Sequence, residues 1–175
     1  MKESTGLIQL FTGNGRGKTS AALGTVLRAV GQGLKVHVIH FMKGSYPYGE
    51  HRALAHLPNV TVERFGRLEF VDRENVLEED RAEARKALEA SRRAVSSGEY
   101  DLVVLDEINI ASAWGLVGVE EVLEVLREKH PGVEVILTGR YADERLVAAA
   151  DLVTEMVEVK HPYSRGIKAR RGLEY

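Results

Sequence analysis

The chain contains no cysteine among its 175 residues. Disulfide bonds, thiolate metal ligands and cysteine nucleophiles are therefore excluded, and the composition is compatible with a reducing compartment. No apolar run approaches the roughly 18 residues needed to span a bilayer. The first five residues are polar and lead directly into an apolar run, so we expect no signal peptide and a cytoplasmic protein.

A strong excess of charge of one sign is also lacking, because the formal net charge is only −2. Such a chain has no global attraction to nucleic acid or to an anionic membrane, and we predict neither as a partner. Hydrophobic residues make up 44% of the sequence, which is enough for a buried core. The length suits one domain of ordinary size, and we predict a single domain over residues 1–175.

Strand-like and helix-like segments alternate along the chain. Strands are predicted over residues 7–11, 34–42, 59–65, 101–107, 133–138 and 151–157. Helices are predicted over 21–30, 74–97, 119–126 and 143–149, with loops at 43–51 and 66–72. The run 102–105 is apolar without alternation, which is typical of a strand buried on both faces of a parallel sheet. The pattern predicts an α/β fold with a mainly parallel, doubly wound sheet flanked by helices.

A glycine-rich turn between the first strand and the first helix is the strongest functional motif. It comprises Gly13, Asn14, Gly15, Arg16, Gly17, Lys18, Thr19 and Ser20. Backbone N–H groups of such a P-loop bind phosphate oxygens, Lys18 would reach the terminal phosphates, and the Thr19 hydroxyl would ligate Mg²⁺. Thr12 stands where the general pattern has its first glycine, so this loop is one residue short. The alternative is a turn that binds nothing.

Asp106 and Glu107 follow the buried strand at 102–105. Ligands of a parallel sheet bind beyond the carboxyl ends of its strands, so these acids are candidates to hold Mg²⁺ directly or through water. Strands often end in an acid for structural reasons alone. The P-loop earlier in the chain makes the metal interpretation stronger, and two adjacent acids leave room for two roles.

Two arginines are further candidates for phosphate binding. Arg140 follows a strand that ends at the same edge, and its guanidinium matches phosphate in a bidentate way. It could equally be a surface arginine in a turn. Arg28 lies in the first helix and could face the phosphates or the solvent. The histidines show no metal-ligand spacing, and we interpret them as ordinary residues. The basic tail 159–175 is either solvated or a flap over an anionic ligand.

Four segments together resemble the ATP:corrinoid adenosyltransferases of the bacterial cobalamin pathway. They are Phe11 to Thr19, Val103 to Ile108, Thr138 to Arg140, and Val159 to Ala169, in that order. Phe41-Met42-Lys43-Gly44 followed by Gly49-Glu50 also looks like that family. The likeness covers nearly the whole chain, and the short loop and the tail are its most specific parts.

The resemblance implies a RecA-like P-loop domain, usually a homodimer, with ATP and a reduced corrinoid as substrates and Mg²⁺ or Mn²⁺ as the cofactor. Cobalt would attack C5′ of the ATP ribose and triphosphate would leave, with a flavoprotein reductase as a candidate electron source. Lys18, Glu107 and Arg140 would then be the catalytic residues, and Thr19, Asp106 and Glu107 the metal-binding ones. The family also binds ATP in a reversed orientation, for which the short loop offers a reason.

The corrinoid side of the site is less well defined by the sequence. Many relatives carry a longer N-terminal extension over the site, which five residues before the first strand would not supply. Some relatives use a Phe-x-Trp pair to displace the lower cobalt ligand, and this chain has Phe70-Val71-Asp72 there. We predict that Phe70 packs against the corrin, the alternative being core packing. The rival functions are a P-loop ATPase or kinase and a RecA-like nucleic-acid-binding module.

Overall fold

Six parallel strands form one sheet in the computed structural model, which describes residues 5–173. The expectations for residues 1–4 and 174–175 lie outside the described residues. The strands are β1 (Ile8–Thr12), β2 (Val36–His40), β3 (Val60–Arg64), β4 (Leu102–Asp106), β5 (Glu134–Thr138) and β6 (Leu152–Glu155). Their order across the sheet is β3-β2-β4-β5-β1-β6, and every neighbouring pair is parallel.

Helices cover both faces of this sheet. They are α1 (Lys18–Gly31), α2 (Gly49–Leu54), α3 (Glu78–Ser97), α4 (Ile108–Ala113), α5 (Val119–Arg127) and α6 (Glu144–Ala149), followed by a 3₁₀ turn at Pro162–Arg165. The apolar sides of α1 and α2 share one core with alternate strand residues, and those of α3 to α6 share the other. No helix in the described part of the chain is both long and apolar enough to cross a membrane.

The burial of the strands follows their positions in the sheet. All five residues of β2 and all five of β4 are buried, as expected for inner strands of a parallel sheet covered on both faces. The edge strand β6 differs, because all four of its residues are exposed, including Leu152 and Val153. The sheet therefore has a well-covered centre and one open, partly apolar edge.

The structure confirms the predicted α/β fold and corrects some element bounds. The long helix was predicted from residue 74, but α3 begins at Glu78, because the Asp80 carboxylate accepts the Leu77 N–H and fixes the start there. The region 43–51 was predicted to be a loop, but α2 begins within it at Gly49. The short helix α4 was not predicted. Six residues make less than two turns, which is too short for a clear helical period.

All six strands end at the same edge of the sheet, and three of the segments that follow them begin with an unusual backbone turn. Met42, Glu107 and Tyr141 have positive φ angles of 56°, 66° and 59° although none is glycine. Such values are uncommon for residues with a Cβ atom and concentrate at functional sites. This edge is therefore the place to look for the site.

The inner position of β1 leads to a stability prediction. Leu10 is completely buried on β1, between β5 and β6. Leu10→Ala should lower the free energy of unfolding by about 2–5 kcal/mol, because it leaves a cavity in a packed core. Leu27→Ala is the matched control, since Leu27 is 61% exposed on α1. Urea denaturation of both variants checks this, and similar losses in the two would contradict it.

Candidate functional site

A cavity of about 660 Å³ opens at the carboxyl edge of the sheet. Its walls come from the P-loop and the start of α1, the segments after β2, β4 and β5, the connector before α3, and the C-terminal tail. The predicted site residues that line it are Gly15, Arg16, Gly17, Lys18, Thr19, Ser20, Phe70, Glu107 and Arg140. The fold thus brings most of the predicted residues together.

The P-loop is closed on itself by the lysine side chain. Lys18 Nζ donates hydrogen bonds to the carbonyl oxygens of Gly13 (2.8 Å) and Gly15 (2.7 Å). Burial, and next the Arg140 guanidinium, lower the pKa of Lys18 from its ordinary value. Arg140 is therefore close enough to act on the same ligand as Lys18.

The loop is also packed against the segment that follows β6. The Gly15 N–H donates to the Met156 carbonyl at 2.7 Å, so this N–H already has a partner within the protein. A Cβ atom on Gly13 would lie 2.4 Å from the same carbonyl oxygen, which explains the glycine there. Asn14, between the two glycines, is exposed and does not line the cavity. The shortened loop thus takes its shape partly from a segment some 140 residues away.

Asp106 is fully buried and accepts four hydrogen bonds behind the P-loop. Its Oδ1 accepts from the hydroxyls of Thr19 (2.8 Å) and Thr138 (2.7 Å). Its Oδ2 lies 2.8 Å from His40 Nδ1 and 2.7 Å from Lys43 Nζ. Asp106 is absent from the cavity wall, so it acts on the cavity through these neighbours.

The charged groups of this cluster shift one another's pKa values. Burial alone would raise the pKa of Asp106, but Lys43 and His40 outweigh it and hold this pKa well below its usual range. Burial alone would lower the pKa of Lys43, but the carboxylates of Asp106 and Glu107 outweigh it and raise this pKa. Asp106 and Lys43 therefore form a buried ion pair over the neutral pH range.

Glu107 has the opposite character to its neighbour. Burial, and next the Asp106 carboxylate, raise the pKa of Glu107. Its left-handed backbone conformation directs the chain away from β4 into α4, and its N–H donates to the Thr138 hydroxyl at 2.9 Å. The side chain lines the cavity near Lys18, Lys43 and Arg140. The two adjacent acids thus have different surroundings.

Among the described residues, no group of three or more histidine or acidic side chains could hold a metal ion alone. The oxygen donors at the cavity include the hydroxyls of Thr19 and Ser20 and the carboxylates of Glu50 and Glu107. Mg²⁺ prefers such oxygen donors and usually completes its shell with waters and substrate phosphates. The donor set therefore fits Mg²⁺ only together with a phosphorylated ligand.

The structure does not bring Arg28 to the cavity. It is exposed in the last turn of α1, ten residues after Lys18. At about 1.5 Å per residue, this places it some 15 Å along the helix from the P-loop. Of the two orientations left open by the sequence, solvent is the one observed. Arg28 lies away from the P-loop because of its position along the helix, and not because its side chain is rotated away.

Phe70 lines the cavity, and its side chain is 72% exposed. The alternative of core packing is therefore wrong. Its ring lies 5.7 Å from that of Tyr46, and Val71 beside it also lines the cavity, whereas Leu68 does not. The apolar wall is extended by Met42, Ile110 and Trp114.

The C-terminal tail runs along the cavity. His161, Gly172 and Leu173 line it, and the Arg16 guanidinium donates to the Leu173 carbonyl. A smaller cavity of about 280 Å³ lies where Arg171 and Gly172 meet Tyr46, Pro47 and Arg52. The described part of the tail is exposed along most of its length, and both of its ends meet the cavity.

Sequence reasoning missed two of the side chains that contact Asp106. His40 was interpreted as an ordinary residue, but its ring nitrogen contacts Asp106. Lys43 was noted only as part of the family-like segment 41–44 and was given no role. Neither residue has a local signal, because each is more than 60 residues from Asp106 in the chain. The pairing of β2 with β4, in which His40 is the register partner of Asp106, could have indicated the contact.

Comparison with known proteins gives a consistent result over the whole chain. The family model described as ATP:corrinoid adenosyltransferase BtuR/CobO/CobP matches residues 4–175. A corrinoid adenosyltransferase of Escherichia coli (strain K12) is 38% identical over 174 residues, which are 99% of this chain and 88% of that protein. The Salmonella typhimurium (strain LT2) corrinoid adenosyltransferase CobA is 37% identical over 175 residues, with the same coverage of both chains. One from Pseudomonas aeruginosa is 35% identical over 174 residues, 99% of this chain and 86% of that one.

Proposed function

Because this chain belongs to the ATP:corrinoid adenosyltransferase family, it is a transferase that moves the adenosyl group of ATP to a reduced corrinoid, and we propose that the cavity described above is where it does so. One cavity combines Lys18 of the P-loop and Arg140 with an exposed aromatic and apolar wall. This observation carries the proposal. ATP and a corrin need such a pair of surfaces.

Lys18 and Arg140 are proposed to stabilise the triphosphate as it leaves. The nucleophile is the cobalt of the corrinoid substrate, so no side chain has to remove a proton. Negative charge moves onto the triphosphate as the C5′–O bond breaks, and fixed cations at that place lower the barrier. Lys18 must first give up its bonds to Gly13 and Gly15, and a phosphate oxygen can replace both. The free N–H groups of Gly17 to Ser20 add to this binding.

Mg²⁺ or Mn²⁺ is proposed to bind at Thr19 and Glu107 together with the triphosphate. Such an ion would neutralise charge on the leaving group. Asp106 is proposed to act through Thr19, because all of its acceptor positions are taken by the four donors around it. This assigns different tasks to the two adjacent acids.

Phe70 is proposed to pack against the lower face of the corrin, with Val71 beside it. Its exposure within the cavity wall and its contact with Tyr46 support this role. An apolar surface at that place excludes water and the lower cobalt ligand. The tail is proposed to close the phosphate end, since it carries basic residues and already contacts Arg16.

The remaining proposals concern the protein as a whole. We propose that residues 1–175 form one domain that works in the cytoplasm, where ATP is available, and receives electrons from a flavoprotein reductase. A homodimer is proposed, and the open edge at β6 offers exposed apolar side chains for such contacts. Nucleic acid and membranes are not among the proposed partners.

Anaerobic incubation with ATP, Mg²⁺ and chemically reduced cobalamin tests the function. The corrinoid spectrum should change to that of the adenosylated form, with one triphosphate released per product. Release of phosphate or ADP without a spectral change would favour the ATPase or kinase alternative. Salt-dependent binding to DNA or RNA would instead support the nucleic-acid-binding alternative.

The position of Lys18 generates the next prediction. Lys18→Ala should lower adenosyl transfer by about 10²–10³-fold, because it removes a fixed charge from the leaving group. The fold should persist, since the hydrogen bonds of the Lys18 ammonium go to carbonyl oxygens of its own loop. Lys86→Ala, at an exposed lysine of α3, is the control. Turnover and circular dichroism of both variants are the measurements. Near wild-type turnover of Lys18→Ala would rule out this loop as the site.

A last prediction for this site concerns Phe70. Phe70→Ala should cause a large loss when cob(II)alamin must be reduced on the enzyme, but only a modest loss with pre-formed cob(I)alamin. Leu68→Ala serves as the control, because Leu68 is 59% exposed and lies outside the cavity wall. Both assays are run on each variant. Equal losses of Phe70→Ala in the two assays would leave the lower face of the corrin without an assigned residue.

A further inference from the structure

Lys43 has no task in the transfer described above, although it lines the same cavity. Its side chain is only 11% exposed, and its ammonium lies 2.7 Å from Asp106 Oδ2. We propose that Lys43 is a positioning residue, which holds Asp106 so that the Thr19 hydroxyl presents its lone pairs to a Mg²⁺–triphosphate ligand. The inference rests on the proposed metal role of Thr19 and names the residue that prepares it.

The hydrogen bonds of Asp106 fix the direction of the Thr19 hydroxyl. An ionised carboxylate can only accept hydrogen bonds, so the Thr19 hydroxyl must donate its proton to Oδ1. Its lone pairs are then left for a ligand in the cavity, which Thr19 lines. A rotated Asp106 would not impose this orientation. The carboxylate must therefore keep its rotamer.

Lys43 differs from the other three donors because it places an ammonium group next to the Asp106 carboxylate. The hydroxyls of Thr19 and Thr138 bring no charge, and His40 is charged only if both of its ring nitrogens are protonated. A fully buried carboxylate without a paired cation is costly. The Lys43 ammonium is paired with Asp106 and occupies one of the two positions on Oδ2, where it holds the carboxylate in its rotamer.

The chain holds Lys43 in place on several sides. The Phe41 N–H donates to the backbone carbonyl of Asp106 at 3.0 Å, and the Lys43 N–H donates to the Phe65 carbonyl at 3.1 Å. Between them, Met42 has the left-handed backbone conformation that turns the chain. The Lys43 ammonium also lies 5.3 Å from the centre of the Tyr48 ring, within range of a cation–π contact. These contacts fix the position of the Lys43 side chain.

A direct role in binding phosphate is the competing interpretation, because an ammonium has three N–H donors and one is sufficient for Asp106. The two interpretations differ in metal dependence. A phosphate ligand contributes to ATP binding with or without Mg²⁺. A residue that acts through Asp106 and Thr19 contributes only to the gain in affinity that Mg²⁺ provides.

Titration calorimetry on the full chain separates them. ATP and inorganic tripolyphosphate are titrated into the wild-type protein and Lys43→Met, with Mg²⁺ and with a chelator. The gain in affinity from Mg²⁺ should fall by about 10–100-fold in Lys43→Met, as for other residues that orient a metal ligand. Affinity in the chelator should stay within about 2-fold. Lys86→Met is the control and should change neither. Equal weakening in both conditions, or no Mg²⁺ effect in the wild-type protein, would overturn the proposal.

A double-mutant cycle tests whether Lys43 acts through Asp106. In an Asp106→Asn background, Lys43→Met should have little further effect on the gain from Mg²⁺, because the orientation of Thr19 is already lost. If Asp106→Asn fails to fold, Thr19→Val is a second background with the same expectation. Effects that multiply independently in either background would contradict the proposal. Adenosyl transfer by the wild-type protein is measured separately, so a failure of the proposed function is distinguishable from a failure of this inference.

Discussion

The site depends on one buried negative charge. The Asp106 carboxylate has lost its water, and that loss is compensated only when the donors on both of its oxygens are in place. Those donors come from the start of α1, from the end of β2 and the turn after it, and from the end of β5. One charge therefore couples the positions of three separate segments. The protein's own donors hold this arrangement, and such fixed geometry is what electrostatic catalysis needs.

The cavity is divided between two kinds of surface. Lys18 and Arg140 provide positive charge at and near the P-loop, whereas Phe70, Val71 and Met42 provide an apolar wall on the connector and the turn after β2. In the proposed reaction, the centre between them requires little of the protein beyond holding the two substrates in contact, because cobalt is the nucleophile. Positioning and charge stabilisation then account for most of the task of the enzyme. The left-handed backbone at Met42, Glu107 and Tyr141 is consistent with a site that must hold its substrates in fixed positions.

The features that were predictable from sequence are the local ones. The P-loop is a contiguous motif, and β4 with its two acids is a contiguous apolar run, so both could be assigned without knowledge of the fold. Lys43 and His40 could not, because their importance depends on the register between β2 and β4. The short helices α2 and α4 have too few residues for a periodic pattern. The position of Arg28 is a different case, since counting the helical rise from Lys18 would have placed it away from the phosphates.

The place of β1 in the sheet has a consequence for the order of synthesis. β1 is made first and carries the P-loop, but its two neighbours are β5 and β6, with Ile8 paired to Val135 and Gln9 to Leu152. Both partners leave the ribosome last. Until then, the apolar N-terminal strand has neither edge covered, and a chain released early cannot hold its nucleotide loop against Met156. Folding of this topology must therefore await the synthesis of β6, and a nascent chain of this kind exposes an unpaired strand that chaperones can bind.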